Sequence, residues 1–131
     1  MTNILIDSDK KLHNLLSKIE DCKEIGLDTE FIRESTYRPI LALIQISLAN
    51  DEIYLIDPQK IKDIGGISKI ISDPKIIKII HSAKQDLEAL YSHLGSFPKN
   101  VFDTQIAYNF LSEKSNIGYS ALVKNICDVD V

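Results

Sequence analysis

A chain of 131 residues, 44% hydrophobic and 26% charged, suits a single globular domain and excludes both wholesale disorder and a second core. The net charge of −4 excludes a global basic field for nucleic acid, while leaving room for a local phosphate site that uses metal ions. No apolar run approaches the roughly 18 residues of a membrane span. The start of the chain has no basic segment leading into a long apolar stretch. Cys22 and Cys127 have neither CxxC nor paired spacing, which argues for a reducing cytoplasm and against a disulfide framework or thiolate metal site.

Taken in chain order, the pattern alternates strand-like and helix-like segments. Asn3–Ile6 is a short apolar run. Ser8 stands where it can cap a helix whose Leu12, Leu15, Leu16 and Ile19 make one apolar stripe. Residues 24–32 read as a strand. Residues 40–48 are apolar on both alternating faces, which predicts a central strand covered on both sides. Residues 52–56 read as a third strand, closed by Asp57-Pro58. The short connections predict antiparallel neighbours. Residues 59–72 then read as a helix weakened in the middle by Gly65-Gly66, and residues 75–80 as a buried strand. A helix over 83–94 turns Leu87, Leu90, Tyr91 and Leu94 inward and stops at Gly95. After the strand-like Val101-Phe102, Asp103 caps a helix with Ile106, Ala107, Phe110 and Leu111 inward. Tyr119, Leu122, Val123 and Ile126 make a last helical stripe. A three-strand meander followed by β-α units predicts an α/β fold with a mixed sheet and helices packed on it.

The sharpest local feature is Asp28-Thr29-Glu30. Strand alternation points Asp28 and Glu30 the same way, about 6–7 Å apart, with Gly26 leaving room beside them. Two such carboxylates raise each other's pKa unless a positive group intervenes, and a divalent metal is the usual one. Asp-x-Glu alone equally fits a solvated sheet face. Asp86, in the first turn of the helix over 83–94 and off its apolar stripe, reads either as an acid favoured by the helix dipole or as a third carboxylate converging on Asp28 and Glu30. Arg33 and Arg38 offer planar forks for phosphate, or are two surface arginines on a loop. Tyr37 has a ring able to stack on a base. His81 reads first as a hydrogen-bonded core histidine, with a ligand or base as its other role. His13 and His93 read as surface residues. No P-loop, dinucleotide fingerprint or nucleophile elbow is present.

The order of motifs carries a resemblance. Asp28-Thr29-Glu30-Phe31 is followed by Thr36-Tyr37-x-Pro39 and Leu43-Ile44-Gln45-Ile46. His81-Ser82-Ala83-Lys84-Gln85-Asp86-Leu87-Glu88-Ala89-Leu90 comes next, and then Phe102-Asp103-Thr104-Gln105-Ile106-Ala107. Together they resemble the ribonuclease D branch of the DEDD 3′–5′ exonucleases, from about Ile4 to the last residue. The resemblance implies an RNase H-like mixed sheet flanked by helices and a metal-dependent exonuclease acting on single-stranded 3′ ends of RNA. It implies two divalent ions, magnesium or manganese, held by Asp28, Glu30 and Asp86 as metal-binding and catalytic carboxylates. Thr29, Phe31, Arg33, Tyr37, His81 and Gln85 are then the expected substrate contacts. The family's third motif, Tyr-x-x-x-Asp, has no match here. Tyr108 is followed at that spacing by Ser112, and Tyr119 by Val123. The expectation is therefore one exonuclease domain over residues 1–131, incomplete at its C-terminal end and weakly active or inactive alone. Such a domain would be joined by a second polypeptide that supplies the motif, or would self-associate through an uncovered apolar strip. The alternatives are a non-catalytic remnant that binds nucleic acid or a partner, and a different acidic-cluster nuclease or phosphatase using Asp103 as its fourth carboxylate.

Overall fold

Alternating burial along the strands sorts the chain into a covered and an open sheet face. The computed structural model describes residues 2–32, 40–112 and 116–131. In chain order the elements are β1 (Thr2–Ile6), α1 (Asp9–Ile19), β2 (Glu24–Ile32), β3 (Ile40–Ser47), β4 (Glu52–Ile56), α2 (Gly65–Ser72), β5 (Ile77–Ile80), α3 (Lys84–Leu94), β6 (Val101–Asp103), α4 (Thr104–Asn109) and α5 (Tyr119–Cys127). The six strands form one sheet in the order β1-β4-β3-β2-β5-β6. The expected meander is present: β2 with β3 and β3 with β4 are antiparallel. The pairs β1 with β4, β2 with β5 and β5 with β6 are parallel. The architecture is thus the mixed α/β sheet that the resemblance implies.

Register assigns the faces. Ile25, Leu27, Ile44, Ile46, Tyr54, Ile56 and Ile80 are buried in one core cluster with Leu12, Leu15 and Ile19 of α1, Ile67 and Ile71 of α2, and Ala89 and Leu90 of α3. On the other face Gly26 sits beside Ser47 and Ile79, Asp28 beside Gln45, and Glu30 beside Leu43. No residue of that row is buried. The prediction that residues 40–48 are covered on both sides is therefore corrected. Leu41, Ile44 and Ile46 are buried, whereas Leu43, Gln45 and Ser47 keep solvent contact.

Other expectations shift for local reasons. The helix expected over 59–72 begins only at Gly65. Before it, aspartates capture the backbone N–H groups that a helix would need. Asp57 accepts from Gln59, Asp9 from Lys62 and Asp63, and Asp63 from Gly65, at 2.9–3.2 Å. Gly66 lies where an added Cβ would meet Leu16 Cδ1 at 2.2 Å, so its lack of a side chain lets α2 approach α1. Ser8 has the extended N-cap backbone, but its side chain makes no capping bond. Gly95 ends α3 in the left-handed conformation, as expected. Tyr91 points outward and stacks on Phe97, with ring centroids 4.2 Å apart. Ile106, Phe110 and Leu111 are exposed rather than inward. The helix α4 is only six residues long, and neither it nor α5 contains a buried residue.

Candidate active site

The site lies where β5 parts from β2. Their pairing runs only from Glu24↔Ile77 to Gly26↔Ile79, which leaves the backbone of β2 beyond Gly26 without a strand on that side. The first turn of α3 fills the gap. Thr29 N–H donates to Asp86 Oδ1 at 3.0 Å, and Thr29 Oγ1–H donates to the same oxygen at 2.6 Å. Asp86 is buried together with Ala89 and Leu90. The reading of Asp86 as lying off the buried stripe of its helix is therefore corrected: it belongs to that stripe, because Thr29 gives its carboxylate hydrogen-bond donors inside.

Asp28 and Glu30 flank Thr29 and point to the open face, both exposed. Gln45 Nε2–H donates to Asp28 Oδ2 at 3.0 Å. A bulge between Glu30 and Phe31 then shifts the register against β3. Partial loss of hydration raises the Asp28 carboxyl above its usual range, the Glu30 charge adds to that rise, and a bond from the Thr29 backbone opposes it. Burial likewise raises Asp86, with repulsion from Asp28 adding to it and the Thr29 bonds opposing. Among the described residues no ion pair reaches Asp28, Glu30 or Asp86. Nor do three His, Cys, Asp or Glu side chains there gather into a group that could hold a metal ion. Asp28 and Glu30 fit a hard divalent cation all the same, since their donors are all oxygen, carry negative charge and face solvent, with buried Asp86 beside them.

Beside Asp28 the open face is hollowed into a groove of about 580 Å³, with Gly26 and Ser47 in it and Ile53, Ile79, His81, Thr104 and Tyr119 around it. A Cβ on Gly26 would lie 2.1 Å from Ser47 Oγ, so only glycine fits this spot without the serine moving. His81 is half-buried and hydrogen-bonded, as its first reading expected. Its Nδ1 shares a bond of 2.9 Å with Thr104 Oγ1, and its Nε2 one of 3.1 Å with the Ile117 carbonyl. The Tyr119 ring meets it edge-on at 5.7 Å. Of the other expected contacts, Phe31 is half-buried and Gln85 exposed. Arg33 and Tyr37, with Thr36, Arg38 and Pro39, lie outside the described residues.

Asp103 caps α4, as expected, accepting from Gln105 and Ile106 N–H. It also accepts from Ser82 N–H at 3.1 Å and Ala83 N–H at 2.8 Å. Burial would raise its carboxyl, but the N–H groups of Ala83, Ile106, Ser82 and Gln105 together hold it below the usual range. Sequence reasoning missed this second cap, and the available signal was Ala83, a residue that cannot cap the helix it precedes. It also missed Gln45, a polar residue inside an apolar strand on the Asp28 side. Lys78 went unnoticed as well. It is fully buried, with Nζ donating to the Asp73 carbonyl at 2.5 Å and the Ile76 carbonyl at 2.8 Å.

Residues 3–131 match a protein family described as 3′–5′ exonuclease. The chain is similar to ribonuclease D of Desulfotalea psychrophila, 40% identical over 131 residues, covering 92% of this chain and 35% of that protein. It is 34% identical over 125 residues to ribonuclease D of Escherichia coli, covering 95% and 33%. The crystal structure of E. coli RNase D, described as an exoribonuclease involved in structured RNA processing, matches with a TM-score of 0.93 at 34% identity, covering 100% of this chain and 35% of that one. Trypanosoma brucei RNase D in complex with RNA U12 matches with a TM-score of 0.88 at 19% identity, covering 98% and 48%, a likeness of fold alone. The chain thus spans about a third of the length of the curated relatives it matches.

Proposed function

This chain belongs to the 3′–5′ exonuclease family, and from that premise we propose that it carries the carboxylate side of a ribonuclease D-like exoribonuclease site that trims single-stranded 3′ ends of RNA. The observation that carries this reading is the pair Asp28 and Glu30, adjacent on the open sheet face, met by no cation among the described residues, with Asp86 fixed to the intervening Thr29.

Asp28, Glu30 and Asp86 would hold two divalent ions, magnesium or manganese. Bound there, such ions supply Lewis acidity and lower the pKa of a water for attack on a phosphodiester. The protein's own part is geometric. Gln45 holds the Asp28 carboxylate in one orientation, and Thr29 does the same for Asp86. The bulge after Glu30 shifts the register of β2 against β3, and Phe31, half-buried against the core, would be a contact for the terminal nucleotide, with Gln85 on α3, Arg33 and Tyr37 as further contacts. His81 shapes the groove through Thr104 and Ile117. A chain of net charge −4 repels RNA, so phosphate affinity rests on the ions. Three of the family's four carboxylates are present in these 131 residues, so the chain alone trims slowly. Joining these residues to a Tyr-x-x-x-Asp motif would raise the rate. Unpaired Cys22 and Cys127 agree with a cytoplasmic setting, and among the described residues no helix is long and apolar enough to cross a membrane.

Manganese binding followed by electron paramagnetic resonance tests the reading. The chain is expected to bind Mn²⁺, and Asp28→Ala to lose that binding while keeping its circular dichroism spectrum. Equal binding in the variant overturns the proposal. A labelled single-stranded RNA should remain largely intact with the chain and Mn²⁺. Rapid trimming that Asp28→Ala abolishes would overturn the slow-trimming part. Salt-dependent RNA binding indifferent to Asp28 and to chelator would favour the non-catalytic remnant.

A further inference from the structure

Two of the motifs that carry the family resemblance meet in the structure: the stretch His81-Ser82-Ala83, just ahead of Asp86, is tied to Asp103 of the motif that follows it. The residue before α3 is Ala83, which offers no side-chain cap. The cap comes from β6, twenty residues further on: Asp103 Oδ1 accepts from Ser82 N–H and Oδ2 from Ala83 N–H. Ser82 takes the left-handed backbone, φ 59°, a strained conformation for a residue with a side chain. Three residues beyond Ala83, Asp86 reaches across to Thr29. Hydrogen bonds at both ends, joined by one turn of α3 backbone, therefore link β6 to the stretch of β2 that carries Asp28 and Glu30.

We propose that Asp103 is a positioning residue for Asp86: by gripping the Ser82 and Ala83 amides it sets the height of the first turn of α3, and with it the seating of the Asp86 carboxylate on Thr29. This goes beyond its capping of α4, which by itself would leave the site untouched. Its link to the reaction rests on the function proposed above.

Amide hydrogen exchange by NMR tests it without any metal. Thr29 N–H lies past the last β2–β5 pair, so Asp86 is its hydrogen-bond partner. In Asp103→Ala, Thr29 exchange should quicken about tenfold relative to the Leu27 and Ile46 amides. Asp103→Asn, which keeps one acceptor oxygen and serves should the alanine variant fail to fold, should show the same selectivity to a smaller degree. Ile106→Gly, which weakens α4 without touching the grip on α3, should leave the Thr29 ratio unchanged. The proposal is overturned if Thr29 quickens no more than Leu27 and Ile46 in both Asp103 variants, or if Ile106→Gly has the same selective effect. Failure of the unaltered chain to bind Mn²⁺ would sink the proposed function and leave this inference standing.

Discussion

Acids at two places on the same sheet are treated in opposite ways. At the β1–β4 side, Glu52 accepts from Tyr54 Oη–H at 2.6 Å, Asn50 Nδ2–H at 2.8 Å and Lys18 Nζ–H at 3.1 Å. Lys18 Nζ also donates to Tyr54 Oη at 2.8 Å. Those hydrogen bonds, led by the Tyr54 hydroxyl, pull the Glu52 carboxyl down to about 2. In the middle of the sheet, Asp28 and Asp86 are pushed up, and no ion pair reaches them among the described residues. Glu52 counts a cation, Lys18, among its donors. Asp28 and Asp86 receive only neutral donors, from Gln45 and Thr29, which leaves their charge to be balanced in the way the proposed function requires.

The comparison can be broken in several ways. The largest effect expected is from metal. At a hundredfold excess of Mn²⁺ over its dissociation constant, the chain should gain about 2.7 kcal/mol of stability, measured by urea denaturation, and Asp28→Asn should remove the gain. A gain that persists in that variant would mean the acids are not uncompensated for this purpose. Next comes Thr29→Val, which keeps shape but takes the 2.6 Å donor from buried Asp86. It should cost about 2 kcal/mol at neutral pH and clearly less in acid, where Asp86 is protonated.

The two groups should also give opposite pH slopes. Asp28 and Asp86 have raised folded-state values, so without metal the stability they contribute is full below the unfolded value of 3.8. It is lost as pH rises through their folded values. Glu52 is lowered from 4.5 to about 2, so its contribution is present above 4.5 and is lost as pH falls through about 2. Urea midpoints measured across this range should lose the first slope in Asp28→Asn and the second in Glu52→Gln. The smallest effect belongs to Lys18→Met. An exposed ion pair such as Lys18–Glu52 adds little in water, and the melting temperature should fall only slightly, with salt erasing part of the difference.

Much of this arrangement was legible in the sequence because it depends on local geometry. Strand alternation alone puts Asp28 and Glu30 on one face, and the registers agree. A capping aspartate ahead of Thr104 and a stop at Gly95 follow from which side chains bind nearby amides and which residue tolerates a left-handed backbone. The start of α2 was misplaced because Asp9, more than fifty residues away, holds the Lys62 and Asp63 amides. The inward reading of Ile106, Phe110 and Leu111 failed because an apolar stripe states what a helix can bury, not what lies against it.

By itself, then, the sequence determined the meander, the shared face of Asp28 and Glu30, and the family to which the chain belongs. Each depends on neighbouring residues or on motif order. Only the tertiary structure decided that Asp86 belongs to Thr29, that one sheet face is covered and the other open, and that Asp103 grips a helix besides its own. Those features are hydrogen bonds and contacts between residues 20 to 57 positions apart. Such pairs meet only when β5 parts from β2 and α3 settles into the gap, a result of packing that no local pattern encodes.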